Sequence, residues 1–439
     1  MLIKIKQAIL VIGDIVLLYA ALFLMIWVRY GVVNKYLTDA HLVPFSIVFI
    51  FWVAIFYISG LYDLRTVKNR FGTAQQLMVA AVSSLIVSMI VFYLIPSFKI
   101  APKRNLVIFS FIFFILSYGW RELFTLWAKT PQRKVLMVGG GKEADSMNEY
   151  LFGNLQLGYK VSFQISDVES TTSEYFSEVL DKYNIDTVII SPEAEHSQKI
   201  LEDIYKNLPR GIEVMDFTSA YELFYKKIPL SSIHYLWVST NISKSQRIYE
   251  TIKRPLEIFF SLIMLVILSP LILLAAIGVK LTSKGPVFYT QPRVGKKQKT
   301  FTVYKFRTMI DGAYKAGPDW TEENDPRITS FGRFLRYTHF DEVPQLFNVL
   351  RGAMSFVGPR PESLPLVDSF RKKIPYYDAR HLVKPGVTGW AQVNYKPSAS
   401  IEEAYEKLQY DLYYIKERSF TLDFLIILKT VKMFIFNFK

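Results

Sequence analysis

Apolar residues fall along this chain in three patterns, each predicting a different kind of element. Four nearly unbroken apolar runs come first, at roughly 8–28, 43–64, 77–97 and 106–127, each close to the ~20 residues a helix needs to cross a hydrocarbon core. The first run exceeds the ~7–15 apolar residues of a signal peptide, so it is expected to remain as an anchor. From about 133 to 240 the pattern changes to short apolar runs separated by amphipathic stretches. Lys134–Val138, Val161–Ile165, Thr187–Ser191 and Ile212–Phe217 read as buried strands with helical periodicity between them, which predicts a parallel sheet with crossover helices.

The third pattern is an almost wholly apolar stretch over residues 255–281, interrupted near its centre by Ser269-Pro270. Proline removes a helix hydrogen bond and clashes with the preceding turn, at a cost of about 3 kcal/mol; a neighbouring serine can satisfy the freed carbonyl. Both flanks are cationic, with Lys253 and Arg254 before and Lys280 and Lys284 after. A helix–break–helix that enters and leaves by one face keeps all four on the cytoplasmic side, which a plain Pro-kinked crossing does not. Arms of about 12 residues would reach about 18 Å, roughly half a bilayer. Leu422–Phe438 mixes Lys with Leu, Ile, Met and Phe, which fits either a helix lying in the interface or burial against a core.

Cationic residues also orient the four runs. Lys4 and Lys6, then Arg65, Lys68 and Arg70, then Lys129, Arg133 and Lys134 fall on one side; Arg29, Lys35, Lys99, Lys103 and Arg104 fall on the other. The bias puts both ends of the bundle in the cytoplasm. The middles of runs two to four carry no ionisable residue and run one has only Asp14, so the bundle reads as an anchor and not a transport path. The net charge of +14 over 439 residues suits an anionic leaflet and anionic substrates. No nucleic-acid motif accompanies it. The absence of cysteine excludes disulfides, iron–sulfur clusters and a thiol nucleophile, and the five scattered histidines give no zinc pattern.

Two places carry candidate chemistry. Gly139, Gly141 and Ala144 fit G-x-G-x-x-A after the first strand, with Asp167 after the second positioned to hold a ribose. The same glycines are equally consistent with a tight turn that binds nothing. The other place is Asp341-Glu342, read as the start of a helix whose dipole keeps both carboxylates ionised. An ionised carboxylate serves as nucleophile, base or metal ligand. Lys305, Arg307, Arg333 and Arg336 precede the pair; Arg351 and Arg360 follow. Guanidinium forks match phosphate oxygens, and Pro359 and Pro361 fix φ on either side of Arg360. Such a preorganised cation suits charge developing on a transferring phosphoryl group.

At these residues the sequence resembles a family. Lys253-Arg254-Pro255, Ser269-Pro270, Gly285–Phe288, Tyr304–Met309, Asp341–Gly352, Met354–Glu362 and Lys384–Asn394 resemble the bacterial sugar transferases of the monotopic polyprenyl-phosphate phosphoglycosyl transferase kind. The preceding spans and α/β region resemble their larger members. The resemblance implies a membrane protein with a four-helix transmembrane bundle (1–130), a Rossmann-like α/β domain (131–245) and an α/β catalytic domain (250–439) with a re-entrant membrane helix hairpin at 255–281. It implies transfer of a hexose-1-phosphate from a UDP-sugar donor to an undecaprenyl phosphate acceptor with release of UMP, the first step of exopolysaccharide, capsule or O-antigen repeat-unit synthesis. Asp341 would be the covalent nucleophile and Glu342 would hold Mg²⁺. Lys305, Arg307, Arg336, Pro359 and Arg360 would bind phosphate or substrate, with Asp423 and Lys396 as further site positions. At Tyr395-Lys396 many members have Gly and Arg, so this loop departs from the pattern. The implied location is the bacterial inner membrane, multi-pass, in contact with membrane lipid, with the catalytic domain on the cytoplasmic face and no nucleic acid; a homodimer is an open expectation. Glucose or galactose is the sugar suggested by the larger members.

Two rival readings stay open. A membrane-anchored nucleotide-sugar dehydratase or reductase would use the Gly139–Ala144 turn, but needs a Tyr-x-x-x-Lys pair that neither Tyr221–Tyr225 nor Tyr405–Tyr410 supplies. A non-catalytic scaffold for polysaccharide assembly would leave the carboxylates without a role.

Overall fold

The structure is a computed structural model describing residues 2–62, 70–95, 102–128, 133–242, 246–313, 325–395 and 400–436. The chain divides into two compact units, residues 1–220 and 221–439. The first begins with four long helices, α1 (Leu2–Tyr30), α2 (Lys35–Ile58), α3 (Arg70–Leu94) and α4 (Pro102–Ala128). All four contain stretches long and apolar enough to cross a bilayer. Helix α2 starts earlier than its apolar run because Asn34 caps it, its Oδ1 accepting from Leu37 N–H at 2.9 Å. Phe45, Phe49, Trp52 and Phe56 form one buried stripe of α2 at helical spacing. They meet Phe109 and Phe113 of α4 in edge-on and stacked pairs. Opposite faces expose Val16, Ile50 and Phe111.

This bundle holds an ion pair that the sequence reading missed. Asp14 of α1 and Arg121 of α4 are both buried, and the guanidinium grips the carboxylate with two bonds of 2.9 and 2.8 Å. Arg121 lies toward the end of its apolar run and 107 positions from Asp14, so nothing in the residue order joins the two. Close approach makes the pairing feasible: a Cβ on Gly13 would come within 2.4 Å of the Trp120 ring.

After the bundle, β1 (Arg133–Val138), α5 (Lys142–Gly153), β2 (Tyr159–Ile165), α6 (Ser173–Tyr183), β3 (Thr187–Ile190), α7 (Gln198–Asn207) and β4 (Glu213–Asp216) alternate as expected. The four strands form one sheet, order β2-β1-β3-β4, with every pairing parallel. Leu136, Val138, Val188 and Ile190 on the sheet pack with Phe176, Val179, Ile200 and Ile204 of the crossover helices. Covering by helices explains why these strands read as continuous apolar runs.

Helix α8 (Phe217–Tyr225) carries the chain into the second unit, where α9 (Tyr235–Asn241) follows. Helix α10 (Arg247–Thr282) is the fifth helix apolar enough for a membrane. It is continuous through Pro270, where a break was expected. The carbonyl that Pro270 cannot serve, Val266 O, accepts instead from the Ser269 hydroxyl at 2.8 Å, which keeps the turn closed. Both ends of α10 rest on the same globular part. Near its start, Glu257 accepts from Ser355; near its end, Ala275 and Val279 are buried with Phe306 and Leu335. From Leu262 to Leu274 no residue is buried.

A hairpin of β5 (Phe288–Val294) and β6 (Thr300–Phe306) is followed by α11 (Ser330–Tyr337), α12 (Gln345–Arg351), β7 (Ser355–Val357), α13 (Leu364–Lys373), β8 (Gly386–Thr388), α14 (Trp390–Asn394), α15 (Ile401–Glu417) and α16 (Phe420–Phe436). Strands β7 and β8 pair in parallel. The main core joins Val357, Phe370, Trp390, Leu408, Leu412 and Ile415 to Leu422 and Ile426. Helix α16 thus has one face buried against the core, as one of the two expectations held, and it exposes Phe420, Phe424, Ile427 and Val431 along another.

Candidate active site

The carboxylate pair sits in a tighter turn than the sequence suggests. Helix α11, capped by Thr329 Oγ1 on Gly332 N–H at 2.9 Å, packs directly on Thr308: a Cβ on Gly332 would lie 2.0 Å from Thr308 O. His339 then takes a left-handed conformation, φ 53°. Phe340–Glu342 form one 3-10 turn, and α12 begins only at Gln345. Asp341 and Glu342 are therefore not in the first turn of an α-helix, because Pro344 cannot donate within one and itself occupies the α12 cap. Phe340 stacks on Phe306, in the cluster built by the far end of α10. On the other side Asn348 ties α12 to β6, accepting from Tyr304 N–H at 3.1 Å and donating to Thr302 O at 2.6 Å. The carboxylate turn is thus held between the end of α10 and the β-hairpin.

Cations divide the two carboxylates into different states. Lys305 Nζ and Arg360 Nη2 both donate to Glu342 Oε1, at 2.6 and 3.2 Å. Burial would raise the Glu342 carboxyl, but these two charges outweigh it and hold it well below the usual carboxylate range. Asp341 behaves oppositely. Burial first, then the neighbouring Glu342 charge, push it up to about 6, against the opposing pull of Lys305, Arg336 and His339. Both carboxylates remain ionised at neutral pH, as expected, but cations and burial set the difference between them and no helix N-terminus does: Glu342 is a fixed anion and Asp341 the more basic of the two.

Not every predicted cation converges here. Arg336 Nε donates to Thr308 Oγ1 at 2.8 Å and its charge reaches Asp341. Arg307 is buried and bonded to the backbone carbonyls of Ser283 and Lys284; it follows the last residue of β6 and leaves the face that carries Lys305. Pro359 O accepts from Gly386 N–H at 2.9 Å, which pins the start of the Pro-Arg-Pro turn. Asp423 lies in a buried knot, accepting from Tyr249 at 2.6 Å, Tyr414 at 2.9 Å and Lys253 at 2.7 Å. Lys253 also donates to Val357 O, and the Tyr414 hydroxyl oxygen lies 2.9 Å from it, so the Asp423 knot anchors the strand leading to Arg360. Lys396 lies outside the described residues. Arg380 and Asp411, 31 positions apart and not singled out by any motif, form a buried pair at 3.0 Å.

The glycine turn after β1 packs closely against the loop after β3. Gly139 and Gly141 have φ of 98° and 95°. A Cβ on Gly139 would fall 1.8 Å from Ser191 Oγ, and one on Gly141 2.6 Å from Glu193 Oε1. The glycines make room for the loop after β3, including the Ser191 and Glu193 side chains. Asp167 accepts from the following Glu169 and Ser170 N–H groups at 3.1 and 3.2 Å, an ordinary local turn. For Mg²⁺ the residues do fit. Both cations bind Glu342 Oε1, leaving Oε2 without a partner among the described residues. Mg²⁺ takes hard oxygen ligands and binds through one or two carboxylates together with substrate phosphates.

Comparison with known proteins bears on this site. Residues 248–437 match the bacterial sugar transferase family. The chain is 43% identical over 191 residues to an Aeromonas hydrophila UDP-N-acetylgalactosamine-undecaprenyl-phosphate N-acetylgalactosaminephosphotransferase, covering 44% of this chain and 45% of that one. It is 33% identical over 320 residues to an undecaprenyl-phosphate glucose phosphotransferase of Komagataeibacter xylinus, covering 70% and 59%. It is 42% identical over 186 residues to the exopolysaccharide production protein PSS of Rhizobium leguminosarum bv. phaseoli, covering 41% and 93%. The chain belongs to the bacterial sugar transferase family. It is a membrane protein with several apolar helices, and it spans about half the length of the first two of these relatives.

Proposed function

We propose that this protein transfers a hexose-1-phosphate from a UDP-sugar to undecaprenyl phosphate, releasing UMP, at the cytoplasmic face of a bacterial inner membrane, as the opening step of exopolysaccharide repeat-unit synthesis. The observation that carries the reading is the division of labour at residues 341 and 342: a basic, half-buried Asp341 beside a Glu342 held ionised by Lys305 and Arg360. Names of the relatives, which include glucose and N-acetylgalactosamine transferases acting on undecaprenyl phosphate, supply the substrate class.

In this reading Asp341 Oδ attacks the β-phosphorus, the bond to the bridging oxygen breaks, and UMP departs with that oxygen. An oxygen of the polyprenyl phosphate then attacks the same phosphorus, forming the diphosphate and freeing the carboxylate. A covalent intermediate lets soluble and lipid substrates use one site in turn. Arg360 and Arg336 orient phosphate oxygens and stabilise developing charge. Glu342 Oε2 would hold Mg²⁺, which neutralises diphosphate charge when bound. In this reading α10, though one continuous helix, dips into the membrane and returns to the same face: Glu257 and the Ala275–Val279 turn both pack on one globular part, while residues 262–274 include no buried side chain. That geometry brings the lipid acceptor to the Phe340 turn.

Full-length protein incubated with UDP-glucose, UDP-galactose and UDP-N-acetylgalactosamine is expected to release UMP, and without acceptor to gain the mass of a phosphohexose on Asp341. Asp341→Asn is expected to lose both. UMP release that persists in that variant would rule out the assigned nucleophile.

A further inference from the structure

We propose that Arg380 is a positioning residue for Arg360: held by Asp411 inside the fold, it fixes the backbone of the Pro-Arg-Pro turn and so aims the Arg360 guanidinium at the donor's phosphates. The inference rests on the transferase reading above.

Residues 358–362 form no helix or strand, and the two prolines have no N–H to donate, so this turn cannot be held by a ladder. Its carbonyls are held one at a time. Val357 O accepts from Lys253 at 3.1 Å, Pro359 O from Gly386 N–H, Pro361 O from Arg293 at 3.4 Å, and Glu362 O from Val294 N–H at 3.1 Å. Arg360 O accepts from Arg380 Nη2 at 2.9 Å. That same Nη2 is 3.0 Å from Asp411 Oδ2, while Nη1 donates to the Tyr377 hydroxyl at 2.5 Å and the guanidinium lies over the Tyr377 ring.

Arg380 and Asp411 are 7% and 2% exposed. A buried ion pair is rarely more stabilising than apolar residues of the same volume, so filling this space does not require one. What the pair adds is a donor of fixed direction aimed at one carbonyl. With φ set by proline and the carbonyl tethered, the base of the Arg360 side chain has little freedom left, and its far end sits 3.2 Å from Glu342. Asp411, Arg380, Arg360 and Glu342 thus form one chain of contacts from the core to the carboxylate turn.

The test is a double-mutant cycle on the full chain in detergent, reading kcat and KM for UMP release from UDP-glucose and UDP-N-acetylgalactosamine. Arg380→Gln is expected to lower kcat/KM on the order of 10- to 100-fold, the usual effect of displacing a positioned group by about 1 Å. In the Arg360→Ala background the same change is expected to matter less than about 3-fold, because the group it positions is gone. Equal losses in both backgrounds would mean that Arg380 acts on the fold at large, and the proposal fails. If Arg380→Gln does not fold, Arg380→Lys and Tyr377→Phe run the same cycle. Lys keeps the charge but not the fork that reaches Asp411 and Arg360 together, so wild-type rates in Arg380→Lys would also overturn the proposal. Absence of UMP release from the unaltered protein would instead sink the transferase reading.

Discussion

At the scale of single residues, the chemistry turns on the contrast between two adjacent carboxylates. An isolated Asp titrates near pH 4, so a nucleophile of that kind would stay active far into acid. Asp341 is pushed up to about 6, so adduct formation from UDP-sugar should be half lost near pH 6 and should recover as pH rises. Burial is the larger cause and the Glu342 charge the second, so Glu342→Gln should move this acid limb to lower pH even while reducing the maximal rate. Lys305→Met, which removes an opposing charge, should move it upward. Rapid-quench measurement of UMP across pH 4.5–8 is the check; an unchanged limb near pH 4 in every variant would refute the electrostatic account. Asp341, Glu342, Lys305 and Arg360 were all legible in the sequence, because the motifs that carry them are local. That Arg307 turns to the carbonyls of Ser283 and Lys284 was not legible, because alternation along β6 stops at Phe306 and nothing in the sequence marks that last residue.

At the scale of elements, strands β1 to β4 were readable almost to the residue: the central β1 and β3 are buried and leave unbroken apolar runs, and the edge strands β2 and β4 keep enough apolar residues to show beside them. The Asp14–Arg121 pair was not, because it joins residues 107 positions apart. Removing one partner leaves a buried charge uncompensated and should cost about 3–5 kcal/mol, whereas replacing both with apolar residues should cost far less. Thermal melts of Asp14→Leu, Arg121→Leu and the double variant in detergent check this; additive losses would deny the pairing. Helix α10 poses the other question of element scale, because its direction in the bilayer follows from which side its ends occupy. The sequence has no cysteine, so single-cysteine labelling needs no cleared background. Thr251→Cys and Lys280→Cys, both exposed positions, should react with a membrane-impermeant maleimide from the cytoplasmic side only. Labelling of the two from opposite sides would make α10 a crossing helix.

At the scale of the whole molecule, the family match and the physical unit do not begin at the same place. The match starts at residue 248, inside α10, whereas the second compact unit starts at Tyr221. Between them lie Ile228, Leu230, Ile233 and Ile242, which are buried in the same core as Val357, Trp390 and Leu412. Lys227 pairs with Glu406 and Glu222 with Lys416, at 2.7 and 2.6 Å. Residue order alone did not reveal this, since 221–246 follow the parallel sheet and carry no motif of the transferase. Fully burying an aliphatic side chain contributes about 1.5–3 kcal/mol, so a fragment that omits four of them loses much of a typical domain's net stability. A fragment of residues 221–439 should therefore fold in detergent and release UMP from UDP-sugar. One of residues 246–439 should melt at least ~10 °C lower, given about 2–4 °C per kcal/mol for a chain of this size, or fail to accumulate. Equal melting temperatures for the two would show that the segment before α10 is dispensable to the catalytic core, and that the core ends where the family match does.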